Sequence, residues 1–181
     1  LTSYTESHAM MVFVFDASPY GLRAVAYHYS TLVAYIFDQL TDDDFAIWNH
    51  GLGQAEGQQT WEALIVLVAM KAWTKLRNQC RFTLAVKGDN ITALTMTLKF
   101  KATPGNVRAI ARELALVMTE STFEPVVYEH VPGIASVVAD ELSRRWDPKY
   151  KDTWTLPDEL KGVPHTAVPA RGRDSYALRP R

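Results

Sequence analysis

Four acids draw attention by where they fall: Asp16, Glu62, Asp89 and Asp140. Asp16 ends the apolar run Met11-Val12-Phe13-Val14-Phe15, just before the turn residues Pro19 and Gly21. A carboxylate at the end of a buried strand costs desolvation energy unless something pairs with it. Asp89 ends a second strand-like run, and Glu62 and Asp140 fall in helical segments. Carboxylates brought together raise one another's proton affinity. They stay ionised only when cations neutralise them. With a single Cys (Cys80) and five His in the chain, hard oxygen donors select Mg²⁺ or Mn²⁺ over zinc. Two such ions about 4 Å apart are a general device for in-line attack on a phosphodiester. Taken singly, each acid has an ordinary role. Glu62 suits the first turn of a helix, Asp89 suits a helix cap, and Asp140 suits a solvent-facing helical position.

The elements that must position these acids follow from hydrophobic periodicity. Strands are expected over about 10–17, 22–29 and 33–37; short connections make them antiparallel neighbours. Asp42-Asp43-Asp44 reads as a solvated turn, and Phe45-Ala46-Ile47-Trp48 as a short strand. The main helix is expected to start at Thr60 as N-cap. Trp61, Leu64, Ile65, Val68 and Trp73 lie on a face that Val66, Leu67, Ala69 and Met70 widen, so it should be largely buried. Arg81 to Lys87 alternates as a strand, and its place after a long helix suggests parallel pairing with an earlier one. Ile91 to Phe100 reads as helix, and Val107, Ile110, Ala111, Leu114, Val117 and Met118 form a helical stripe. Phe123 to Val131 reads as the last strand, and a short helix follows, capped by Ser136 and running to Arg145.

The 181 residues suit one domain with extra segments at its ends. Apolar residues make up 48%, enough for a sizeable core. A lone Cys excludes a disulfide framework and points to an intracellular setting. The longest apolar run, Ala63 to Met70, is too short to cross a bilayer, so no membrane partner is expected. No signal peptide stands out, and the missing initiator Met suggests a piece of a longer polypeptide. Residues 1–9 read as a loose lead-in and 10–147 as the domain. Residues 148–181 form a partly flexible extension, although Trp154 and Leu156 offer anchors. From Leu160 onward Lys161, Arg171, Arg173, Arg179 and Arg181 stand against Asp174 alone. That reads as a solvated linker, with a weak phosphate-binding arm as the second reading.

The order of Asp16-Ala17-Ser18, Glu62 on the first long helix, Gly88-Asp89-Asn90, His130-Val131-Pro132-Gly133 and Ala139-Asp140-Glu141-Leu142-Ser143-Arg144 resembles the RNase H domain attached to retroelement reverse transcriptases. The resemblance spans about residues 10–147, and its last segment is the most specific part. It implies an α/β, RNase H-like fold: a five-stranded mixed sheet with helices on both faces. It implies hydrolysis of the RNA strand of RNA–DNA hybrids within a retroelement polyprotein, covalently linked to a reverse transcriptase domain. Asp16, Glu62, Asp89 and Asp140 would hold two Mg²⁺ ions, with Mn²⁺ as a substitute. His130, ten residues before Asp140, would transfer protons and help product release; the plainer reading is a polar residue at a strand end. Ser18, Asn90, Lys99, Lys101 and Arg108 are candidate nucleic-acid contacts, with Lys87 and Arg112 as further candidates for a phosphate track. Shape and 2′-hydroxyl readout implies little sequence preference.

Departures from the family pattern are visible. Arg23 stands where a Gly is common, Ser136 replaces the usual Asn, and the connection from Gln39 to Gln59 is long. Little chain is left between Phe100 and Asn106 for a separate basic helix. Two rival readings remain: an inactive RNase H-like docking module, and a nuclease of the same fold that acts on DNA.

Overall fold

The computed structural model describes residues 10–79, 81–86, 105–119, 126–128 and 133–176. Three strands open the chain: β1 (Met10–Ser18), β2 (Gly21–His28) and β3 (Thr31–Gln39). Two-residue turns join them into an antiparallel meander. Tyr29, in the second turn, takes a left-handed conformation at φ 54°. The chain then forms α1 (Asp42–Trp48), α2 (Gln58–Ala72), α3 (Thr74–Gln79) and β4 (Arg81–Val86). α4 (Gly105–Thr119), β5 (Val126–Tyr128) and α5 (Gly133–Ser143) follow. The sheet order is β3-β2-β1-β4-β5, with β4 parallel to both β1 and β5. A parallel neighbour for β1 needs a crossover connection, and α2 lies on that path.

β1 is central and covered on both faces, which is why its sequence is nearly all apolar. Phe13, Phe15 and Ala17 join the core beneath α2 and α4, with Ile36, Trp61, Leu64 and Ile110. Val14 joins a second core beneath α5, with Val25, Tyr27, Tyr35, Val138 and Leu142. Alternation along the strand therefore puts Asp16 on the α5 side of the sheet. α2 is buried continuously from Thr60 to Met70, as a helix apolar all round must be.

Several sequence expectations are corrected. α2 starts at Gln58, because a 3₁₀ turn over Ala55–Gly57 feeds directly into it. Thr60 is thus interior to the helix, and its Oγ1 lies 3.0 Å from His50 Nε2. The triple-Asp run is not a solvated turn, and Phe45 to Trp48 is not a strand; together they form α1. A reciprocal capping box nucleates it. Thr41 Oγ1 accepts from the Asp44 N–H at 3.2 Å, and the Asp44 carboxylate accepts from the Thr41 N–H at 2.9 Å. α5 begins at Gly133, ahead of Ser136.

The extension is packed through Tyr176 rather than solvated. Trp154, Leu156 and Leu160 join the α5-side core. The chain then passes the outer edge of β3, where Tyr35 N–H donates to Pro164 O (3.2 Å) and Thr166 N–H donates to Tyr35 O (2.8 Å). Covering an edge strand in this way removes an open pairing surface. Val168 and Tyr176 then join the α2-side core. Arg171 fastens the strap. Its Nε donates to Asp44 Oδ1 (2.9 Å), Nη2 to Asp44 Oδ2 (2.7 Å) and Gln39 O (3.1 Å), and Nη1 to Asp38. Burial works against the Arg171 cation, but Asp44 and Asp38 outweigh it and hold its pKa above the usual guanidinium value. Among the described residues, no helix is long and apolar enough to cross a membrane. The 1–9 lead-in, the 91–100 helix, Lys87, Asp89, Asn90, Lys99, Lys101 and His130 lie outside the described residues.

Candidate active site

Asp16 sits near the carboxyl end of β1 with its side chain 19% exposed. The Pro19-Tyr20 turn sets the register of the first hairpin, placing Arg23 directly across from Asp16. The Arg23 side chain is only 2% exposed, and its Nη2 lies 3.5 Å from Asp16 Oδ2. Desolvation lowers the Arg23 pKa from its ordinary value, and the charges of Asp16 and Asp140 oppose that shift. Asp140, near the end of α5, is thus within electrostatic reach of the same guanidinium. It is half-exposed, and Arg144 donates to its Oδ2 from Nη2 at 3.3 Å.

Glu62 approaches from α2. It is 8% exposed, and Gln58, one turn earlier, donates from Nε2 to both Glu62 Oε1 and Ala17 O at 2.7 Å each. Gln58 therefore ties the start of α2 to the end of β1. Burial pushes the Glu62 carboxyl up to about 7; the Gln58 hydrogen bond works against this, and the Asp16 charge adds to it. Asp16 is coupled to Glu62, and Asp16 and Asp140 each act on Arg23; the carboxyl ends of strands are where ligand sites of open α/β sheets lie. The side chains of these acids do not close on one point: among the described residues, no group of three or more His, Cys, Asp or Glu stands close enough to hold a metal ion.

The donor set still suits a hard divalent cation in type. Asp16, Glu62 and Asp140 offer carboxylate oxygens, and burial of Glu62 beside Asp16 disfavours its charge until a cation compensates. The other candidates are more dispersed. Ser18 Oγ accepts from the Tyr20 N–H at 3.3 Å, a turn-stabilising bond. Arg108 is exposed on α4. Two neighbours were not assigned a role from sequence. Gln58 carries a signal in its i,i+4 spacing from Glu62. Arg23 carries one in the hairpin register, since a two-residue turn after Ser18 already pairs residue 23 with residue 16.

The fold is similar to a solved ribonuclease H1, LC11-RNase H1, isolated from compost by a metagenomic approach. The TM-score is 0.52 at 12% identity, covering 80% of this chain and 99% of that one. At this identity the likeness is one of fold, and the fold is ribonuclease H-like. No protein-family model matches the chain, and no curated protein matches it.

Proposed function

We propose that this domain cleaves the RNA strand of RNA–DNA hybrids, as the ribonuclease H part of a retroelement reverse transcriptase acting inside a cell. The observation that carries the proposal is that Asp16 at the carboxyl end of β1 and Glu62 on α2, which Gln58 ties to the β1 backbone, lie in a ribonuclease H-like fold, with Asp140 on the helix that covers the Asp16 face of the sheet. Asp89 is the fourth acid of the proposed set, and His130 the proposed proton carrier. Two Mg²⁺ ions, or Mn²⁺, bound by Asp16, Glu62, Asp89 and Asp140 would supply an activated water and stabilise the leaving oxygen.

The chain's own residues do the rest. Gln58 fixes the Glu62 carboxylate against the β1 backbone, so the helix and strand donors keep one relative position. Arg144 holds Asp140 toward the α5 C-terminal turn. Ser18, Asn90, Lys99, Lys101 and Arg108 contact the hybrid backbone in this reading, and a covalently linked polymerase domain supplies further grip.

One observation favours the inactive-module alternative: a buried arginine already neutralises Asp16. The deciding experiment uses a hybrid labelled on each strand, with Mg²⁺ and with Mn²⁺, for the wild type and Asp16→Asn. Cleavage of the RNA strand that disappears in the variant is the expected result. A folded wild type that leaves both strands intact would favour the module, and cuts in the DNA strand would favour a DNA-acting nuclease.

A further inference from the structure

Arg23 is an unusual residue to bury. It lies on β2, next to the central strand, on the α5 side of the sheet, with a side chain 2% exposed. A guanidinium carries five N–H donors and stays charged at any physiological pH. Arg23 Nη2 approaches Asp16 at 3.5 Å, while among the described residues Nε and Nη1 are buried without a hydrogen-bond partner. Buried donors left unmade are destabilising. Arg171, also buried at 6% exposure, bonds through all three of its nitrogens. Arg23 is therefore poorly explained as a structural clamp, and its local compensation comes from the acids of the candidate site.

We infer that Arg23 is a resident counter-cation of Asp16, compensating its charge when no metal is present and opposing the entry of a divalent cation. This rests on the metal-dependent reading above. A fixed positive charge next to Asp16 repels an incoming M²⁺, and the repulsion is poorly screened in a partly buried site. It also competes for Asp16 Oδ2, the atom it faces. The site would load metal weakly on its own, and more strongly once a substrate phosphate adds negative charge.

The test is calorimetric titration of Mn²⁺ into the chelator-stripped chain, with no nucleic acid, for the wild type, Arg23→Met, Arg23→Gln and Arg23→Lys. Met keeps much of the volume without the charge. Gln keeps a donor for Asp16 and guards against misfolding of the Met variant. Lys keeps the charge. The neutral variants should bind Mn²⁺ about tenfold tighter or more, and the Lys variant should stay close to the wild type. Without metal the neutral variants should melt earlier, and Mn²⁺ should restore more of their Tm than it adds to the wild type. Unchanged Mn²⁺ affinity in a folded neutral variant, with hybrid cleavage intact, overturns the counter-cation role alone. Absence of Mn²⁺ binding from every folded variant overturns both this role and the metal-dependent reading.

Discussion

Replacing Arg171 by Met should destabilise the domain far more than loss of an extension residue ordinarily would. The side chain is 6% exposed, and its main partner, Asp44, is fully buried. Breaking a buried pair from one side leaves an uncompensated charge and costs about 3–5 kcal/mol. Asp44 keeps its bonds from the Thr41 N–H (2.9 Å) and Oγ1 (3.0 Å), and Asp38 is 34% exposed and can rehydrate. Both moderate the loss, so the lower end, about 3 kcal/mol, is expected. For a chain of this size that is a fall in Tm of roughly 6–12 °C, taken from a total stability of about 5–15 kcal/mol. Urea and thermal unfolding followed by circular dichroism would measure it. The double variant Arg171→Met/Asp44→Asn removes both charges and should recover part of the loss, because the cost lies in the orphaned carboxylate. A single-variant cost below about 1 kcal/mol, the range of exposed pairs, would refute the reasoning. So would simple additivity in the double variant.

Two further outcomes follow from the site's surroundings. A Cβ on Gly21 would lie 2.5 Å from Trp146 Cδ1 and 2.9 Å from the Asp38 carbonyl oxygen. Gly21→Ala should therefore cost about 1–3 kcal/mol and displace the segment after α5, visible as lower Tm and altered Trp fluorescence; an unchanged melt would contradict the packing. In the metal-free chain, the carboxyl of Glu62 rises from 4.5 to about 7 on folding. The native state then binds more protons than the unfolded state between those values, so this group's contribution to stability falls as pH rises through that window. Glu62→Gln should flatten that part of the stability–pH curve, and an identical slope in both proteins would refute the assignment.

The sheet was legible because its signals are local. Met11 to Phe15 is too apolar for an edge strand, and the short connections at Pro19-Tyr20 and Tyr29-Ser30 force antiparallel neighbours. The acids Asp16, Glu62 and Asp140 stood out in the sequence by their places in strand and helix, and they fall on β1, α2 and α5. Of the extension, Trp154 and Leu156 were legible as anchors, and both pack on the α5-side core; the rest was not, for a physical reason. Its periodicity is poor, and its order rests on scattered anchors such as Leu160, Thr166, Arg171 and Tyr176, each paired with a residue more than 80 positions away or inserted into a distant core. Arg171 read as a solvated cation from the proline-bearing, weakly periodic tail around it, and Asp44 as a solvated anion from the triple-Asp run. Neither reading saw the capping box of α1, which turns Asp44 inward to meet Arg171.

The two buried arginines make a controlled comparison within one chain. Both are almost inaccessible, and both face carboxylates. Arg171 has a planar fork fully matched by a bidentate carboxylate, a second acid and a backbone carbonyl, with its pKa held above the usual value. Among the described residues, Arg23 has one approach at 3.5 Å and two unmatched nitrogens, and its pKa is lowered. Matched geometry stabilises the folded state whether or not anything else binds. Unmatched geometry leaves a charge whose environment changes favourably only when its partners or their occupants change. Arg171 therefore belongs to the architecture, which no ligand should perturb. Arg23 belongs to the site, and its energetics should respond to metal. A Tm gain from Mn²⁺ that depends on residue 23 but not on residue 171 would separate the two roles in a single set of melts.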